Sequence, residues 1–495
     1  MKINTMNLKK IYSVVPMFAL LMIASCNEQK KETKTNEAIV SPNIIYILAD
    51  DLGYGDLSSY GQKNFETPNI DRLASQGMLF TQHYSGSTVC APSRSALMTG
   101  MHTGHTVVRG NEEIQPEGQY PIPEATYTIA EMFKTKGYTT GAFGKWGLGF
   151  PKSEGDPTNQ GFDTFFGYNC QRLGHHYYPH HLWSNRDSIT LKGNEGNKKG
   201  IYAPELIHEK TIQFIETNKD KPFFLYVASI IPHAELAAPE EVLKKYRGKY
   251  PPEKIYEGLD SGPEYRKGSY ESQKESHAAF VAMISILDQQ VGDIMDKVKE
   301  LGLDKNTIIV FTSDNGPHQE GGADPDYFDS NGELKGYKRD LYEGGVRVPM
   351  IASWPGKIKP NTKTDHISAF WDVFPTLGNL IGADIPTDLD GISFLPTLLN
   401  APQDQEEHDY LYWEFHEKGG RQAVRMGDWK GVKYNVLNDP NAPIELYNLI
   451  VDIKEEHDVA VDQPDIISTM KKILKEARTP SDVFTFGQDT YLGSE

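Results

Sequence analysis

Four short apolar runs, separated by helical stretches and each followed by polar residues able to do chemistry, constrain this chain more than any other feature of it. "NIIYILADD" predicts a strand over 43–48 and then Asp50 and Asp51, and "GYTTGAFGKWGLG" a strand over 138–143 and then Lys145. "KPFFLYVASIIPHAE" predicts a strand over 223–228 followed by His233, and "NTIIVFTSDNGPH" a strand over 307–312 followed by Asp314 and Asn315. Between them, Thr128 and Glu131 have capping-box spacing before a helix that stops at Gly137. Residues 276–301 carry Phe280, Met283, Ile284, Leu287, Val291, Ile294, Met295 and Val298 at helical spacing. Strands alternating with helices imply an α/β fold with a mostly parallel central sheet flanked by helices. Ligands of such sheets bind beyond the carboxyl ends of the strands, so the four polar sets are expected to meet in one site.

From about residue 396 the pattern changes. "HDYLYWEF", "RQAVRMGDWKGVKYN" and "IELYNLI" look like short antiparallel strands, with a closing helix over 465–478. A catalytic domain over 42–395 and a smaller α+β C-terminal subdomain over 396–495 are therefore expected. A chain of 495 residues has ample length for both. Its net charge of −18 and lack of a long Lys/Arg run argue against nucleic acid as a partner.

Lys9 and Lys10 precede a short apolar run to Ser25, the order of an export signal. The stretch 21–26 resembles a bacterial lipobox, which implies lipidation of Cys26, a signal peptide over 1–25 and a polar tether over 26–41. The expectation is an exported lipoprotein held to a membrane by its lipid anchor, at the periplasmic face or the outer-membrane or cell surface. With three cysteines in all, Cys26, Cys90 and Cys170, no intramolecular disulfide framework can be built.

Asp50, Asp51, Asp314 and Asn315 offer only oxygen ligands, a set suited to a hard divalent cation, Ca2+ in preference to Mg2+. The stretch "CAPSRSALMTG" from Cys90 to Gly100 then gives the cysteine a reason. It resembles the maturation signature of the type I sulfatases of the alkaline phosphatase superfamily, and the likeness extends through "ADDLGYGD", "GKWGLG", "IPH", "SDNGPH", "KRDLYEGGVRVP", "VRMGDWK" and "ELYNL". The resemblance implies a sulfuric ester hydrolase in which a formylglycine-generating enzyme converts Cys90 to formylglycine (3-oxoalanine). The hydrated aldehyde attacks sulfur, and its second hydroxyl releases sulfate as the aldehyde re-forms. It also implies a metal site of Asp50, Asp51, Asp314, Asn315 and the oxygen carried at Cys90. Arg94 steadies that oxygen and the carboxylates, Lys145 and Lys338 bind sulfate, and His233 protonates the leaving alcohol.

The chain departs from the family in one place. Many relatives have histidine where "GKWGLG" places Gly147, and His102, His105 and His318 are candidates to fill that role. Specificity is expected in the loop 169–183, where Arg172, His175, His176, His180 and His181 stand among aromatic residues suited to a sugar ring. Arg172, His175, His318 and His105 are thus the candidate substrate contacts. A histidine-rich metal site in this loop is the rival reading, although no closed ligand set is evident there. The expected substrate is a sulfated polysaccharide or oligosaccharide, algal such as ulvan or carrageenan, or a glycosaminoglycan. The alternatives are a phosphodiester or phosphonate hydrolase of the same superfamily and a non-catalytic glycan-binding surface lipoprotein. The oligomeric state is left open.

Overall fold

In a computed structural model, residues 41–486 apart from residue 440 are described. The signal peptide, Cys26 and the tether as far as residue 40 lie outside them.

The strand Asn43–Asp50 shows why the sheet sits at the centre: all eight of its residues are buried. Side chains alternate across a strand, so Ile45, Ile47 and Ala49 enter one apolar cluster while Ile44, Tyr46 and Leu48 enter the other. The first cluster is capped by the helix Ser276–Glu300, whose Phe280, Met283, Ile284, Leu287 and Val291 are buried. This helix is long and apolar enough to cross a membrane by length and composition, but its apolar stripe is spent on the sheet. The opposite face is covered by Ile129–Thr135 and Val373–Ile381. Thr128 and Glu131 form the expected capping box, each side chain bonded to the other's backbone N–H.

Among the described residues, eleven strands make up the main sheet. At its centre Thr164–Tyr168, Thr139–Lys145, Phe223–Pro232, Asn43–Asp50 and Thr307–Ser313 lie side by side and parallel. Antiparallel strands continue it on both sides, Arg347–Ser353 and Met78–Tyr84 on one and His181–Ser184 and Asp187–Thr190 on the other. The four expected strands run one to four residues further at their carboxyl ends than their sequence pattern indicates. Ladder pairing continues into the polar residues, so Asp50 pairs with Pro232, Ala49 with Ser313 and Lys145 with Tyr168. The chemistry-bearing residues thus end the strands or follow them at once.

The C-terminal strands Leu411–Phe415, Arg421–Met426, Trp429–Tyr434 and Ile444–Asn448 form an antiparallel sheet. One face carries the helix Pro464–Glu476 through Met470 and Leu474. The other packs on the larger sheet's surroundings: Trp413 meets Trp371 at a ring-centroid distance of 5.7 Å, and Lys430 pairs with Glu343 at 2.8 Å.

Candidate active site

Asp50 and Asp51 are consecutive, which in a continuing strand would send them to opposite faces. Asp51 instead adopts φ 63°, the left-handed region that non-glycine residues seldom occupy. That turn brings both carboxylates to the carboxyl edge of the sheet, and the Asp51 N–H donates to Asp314 Oδ1 at 3.1 Å. Cys90 begins the helix Cys90–Thr99. Its Sγ lies 3.3 Å from Asp50 Oδ1, and the residue is 2% exposed. Burial, and then the Asp50 charge, push the Cys90 thiol well above its ordinary range. An unaltered thiol here is a poor nucleophile at neutral pH.

Arg94, one helical turn on from Cys90, is wholly buried and ties three elements together. Its Nε and Nη2 donate to Asp314 Oδ2 at 3.1 and 2.8 Å, its Nη2 lies 3.6 Å from Asp50 Oδ2, and its Nη1 donates to the Lys145 carbonyl. Burial works against the guanidinium charge, but the groups around it, Asp314 first, together outweigh that and keep Arg94 protonated. Burial and the facing Asp50 push Asp314 up to about 6. Burial also raises Asp51, but Lys338, His318 and Lys145 outweigh it and hold the carboxyl down at about 2.

The donor set fits a hard cation on an observation independent of motif. Among the described residues, Asp50 Oδ2 and Asn315 Oδ1 are buried oxygens without a hydrogen-bond partner, which is costly inside a protein. Asn315 spends its Nδ2 on Asp51 Oδ1 at 2.6 Å, which leaves its carbonyl as a ligand. Asp50, Asp51, Cys90 and His233 bring ligand atoms within 4.8 Å of one another. Asp50, Asp51, Asp314 and Asn315 are the residues that would hold the ion.

Two lysines enter from different elements. Lys145 Nζ is in ion-pair contact with Asp50 Oδ2 but lacks hydrogen-bond geometry to it. Lys338, in the loop before the short helix Glu343–Val346, donates to Asp51 Oδ2 at 2.8 Å and to His233 Nε2 at 2.9 Å. His233 Nδ1 is bonded to the Ala234 carbonyl, so it carries the ring proton and Nε2 is the lone-pair end facing the site. Burial first, then Lys338 and Lys145, lower the His233 pKa well below its usual value. His175 and His318 sandwich this ring, with centroids at 4.8 and 5.5 Å. His318 spends Nε2 on the Pro232 carbonyl and Nδ1 on the Glu320 N–H, so it braces His233.

The sulfatase family model matches residues 42–383, more than half of the chain. This chain belongs to the sulfatase family. A second model, N-sulphoglucosamine sulphohydrolase C-terminal, matches residues 332–480 of this sulfatase. It is 30% identical to N-acetylgalactosamine-6-O-sulfatase of Bacteroides thetaiotaomicron over 96% of this chain and 99% of the relative. It is 32% identical to human arylsulfatase A over 79% and 74% of the two chains. Its fold is similar to the crystal structure of Ps i-CgsB, with a TM-score of 0.71 and 28% identity over 88% of this chain and 93% of that one. The chain is accordingly a sulfuric ester hydrolase, and its buried acidic and cysteine cluster is the feature that the family's formylglycine and divalent cation need.

Not every expected contact joins this sulfatase cluster. His105 bonds through Nδ1 to Asp390 at 2.8 Å and stacks on His102, in a separate group closed by its own hydrogen bonds. Arg172 is part-exposed, bonded to the Lys267 carbonyl, and lines a neighbouring cavity of about 480 Å3 with Glu113, Glu117, His180 and His181. In the loop 169–183, His176 pairs with Glu235 and His181 with Glu117, each satisfied without a metal. Cys170 is a buried free thiol. Sequence reasoning missed Glu320 and Tyr270: Glu320 lies 3.6 Å from Lys338, accepts from Tyr270 at 2.9 Å and pairs with Arg339. Neither stands at the end of a strand run, so no pattern pointed to them.

Proposed function

We propose that this protein removes sulfate from sulfated glycans by formylglycine chemistry at Cys90 assisted by Ca2+, and that 6-O-sulfated N-acetylgalactosamine is the first sugar to test. The observation that carries the reading is the enclosure of Cys90 Sγ by Asp50, Arg94, Lys145, His233 and Lys338, all 7% exposed or less. Converted to formylglycine, position 90 would supply a hydrated aldehyde as nucleophile toward sulfur. A divalent cation on Asp50, Asp51, Asp314 and Asn315 would supply charge stabilisation for the sulfate oxygens.

The chain's own groups do the rest. Three carboxylates, Asp50, Asp51 and Asp314, balance three cations, Arg94, Lys145 and Lys338, so a bound divalent ion leaves the site cationic and suited to a sulfate ester. Lys145 and Lys338 bind sulfate oxygens. Arg94 holds Asp314 and the Lys145 backbone in register. His233 presents Nε2 toward the leaving oxygen, and the negative charge of bound ester works against the burial and the lysines that together keep this ring neutral. The substrate class is supported by the name of the Bacteroides thetaiotaomicron relative and by a complex of Ps i-CgsB with k-i-k-neocarrahexaose.

The same reading places the protein outside the cytoplasm as a lipoprotein anchored through Cys26, matured by a formylglycine-generating enzyme. The test is sulfate release from 6-O-sulfated N-acetylgalactosamine oligosaccharides and from carrageenan fragments, for the wild type and for Cys90→Ala, both made in a host with a formylglycine-generating system. The expected result is release by the wild type alone. Release by Cys90→Ala at the wild-type rate would overturn the reading.

A further inference from the structure

Gly147 stands two residues beyond Lys145 with φ 78°, a left-handed conformation suited to glycine. A Cβ placed on it would come 1.9 Å from Gln171 Nε2. The Gln171 carboxamide therefore fills the space into which a side chain at 147 would grow. Gln171 sits on the loop that follows the strand Thr164–Tyr168, beside the Lys145 strand at the carboxyl edge of the sheet. The loop is pinned there because Trp146 N–H donates to the Tyr168 carbonyl and Gly147 N–H to the Asn169 carbonyl. Gln171 is 5% exposed, yet neither its Nε2 nor its Oε1 has a hydrogen-bond partner among the described residues. Asn169, wholly buried, has both side-chain polar atoms in the same condition, and Lys145, at the end of the neighbouring strand, is ion-paired with Asp50 Oδ2 but lacks a hydrogen bond among the described residues.

Buried carboxamides are normally satisfied, and one that is not needs a reason. We propose that Gln171 is a substrate-contacting residue whose Nε2–H2 group donates to an oxygen of the sulfate held by Lys145, in the place of the side chain that Gly147 lacks. This assignment rests on the sulfatase reading of the site. It also separates this chain's chemistry from one with a histidine at 147: a carboxamide donates and accepts hydrogen bonds but takes up no proton at neutral pH. His102, His105 and His318 are excluded from the same duty by the partners already described. The proton lost on sulfate release then passes to a group other than the side chain at this position.

The test uses Gln171→Met and Gln171→Glu in the full-length matured protein. Methionine keeps the length and removes both orphaned polar atoms, and glutamate keeps the shape while replacing the donor with a negative charge. The inference predicts that Gln171→Met lowers kcat/KM for a sulfate ester by roughly ten- to a hundredfold, the worth of one hydrogen bond to a charged group. It predicts a melting temperature equal to or above that of the wild type, because no satisfied bond is lost. Gln171→Glu falls further, since its carboxylate repels sulfate. A merely structural glutamine would lower stability in both variants and leave kcat/KM of the folded fraction unchanged, and that result overturns the assignment. Calorimetric binding of inorganic sulfate needs no turnover. It weakens in both variants if Gln171 contacts sulfate and is unchanged if it does not, even should the wild type hydrolyse no ester, an outcome that would count against the proposed function alone.

Discussion

Asp51 reaches the site because one backbone torsion departs from the strand, and Arg94 because a single helical turn separates it from Cys90. Such placements can be traced in the sequence only where a motif marks them. Cys90, Arg94, the two acidic pairs and the lysines were legible because each stands at a strand end or within a quoted motif. Gln171 was not, since a glutamine in a loop has no distinguishing pattern until the glycine opposite it is seen in space. Arg94 makes bonds in three directions that a lysine cannot reproduce. Arg94→Lys is expected to cost about 1.5–3 kcal/mol of stability and to lower turnover at least tenfold, measured by denaturant unfolding and by sulfate release. A second residue-scale prediction concerns His83, buried with Nδ1 on Ser368 Oγ at 2.9 Å and its pKa lowered by burial to about 3. The unfolded chain binds this proton below about pH 6.5 while the folded one does not. The wild type should therefore lose stability relative to His83→Gln as pH falls from 6.5 toward 3, by about 1.4 kcal/mol per pH unit at most. Equal pH slopes for the two proteins would refute it.

Among the elements, the four strands that carry the site, the C-terminal strands and the helix Ser276–Glu300 followed from their patterns, while their ends, the strands Met78–Tyr84, Thr164–Tyr168 and Arg347–Ser353 and the helix Ala203–Thr217 did not. The strand Phe223–Pro232 extends beyond the apolar run at Ala228 because ladder pairing with Asn43–Asp50 resumes at Pro232 after an irregularity. Pairing is a property of two segments, and a single sequence run cannot reveal it. The helix Ile129–Thr135 is the opposite case, its start marked locally by Thr128 and Glu131. Thr128→Ala is expected to cost about 1 kcal/mol and to leave kcat unchanged, because this helix lies on the sheet face and contributes no group to the site. A lowered kcat in the folded variant would show that the sheet transmits strain to Lys145. The loop 169–183 was legible as rich in histidine, but its partners Glu117, Glu235 and Gly268 come from distant positions.

Across the molecule, the antiparallel sheet does more than close the chain. Lys430 Nζ reaches Glu343 Oε1 at 2.8 Å with both side chains wholly buried, and Glu343 also accepts from Tyr84 at 2.6 Å and pairs with Arg347 at 3.2 Å. Burial alone would raise the Glu343 pKa, but Lys430 and the arginines Arg425 and Arg347 outweigh it and hold it at about 2. Glu343 begins the short helix that follows the Lys338 loop, so the second sheet fixes one wall of the site. Glu343→Ala leaves buried cations unpaired and is expected to cost about 3–5 kcal/mol, read as a lowered unfolding midpoint with loss of turnover. The central claim, that the cluster around Cys90 hydrolyses sulfate esters after conversion of the thiol, meets its most direct test in one paired assay. Protein from a formylglycine-generating host is fractionated, the mass of the peptide spanning Cys90 is taken in each fraction, and inorganic sulfate released from 6-O-sulfated N-acetylgalactosamine oligosaccharides and carrageenan fragments is counted against it. The account predicts release in proportion to the converted fraction and none from the unconverted thiol. Equal release by converted and unconverted protein, or none from fully converted, Ca2+-loaded protein on these sulfated glycans, would contradict it.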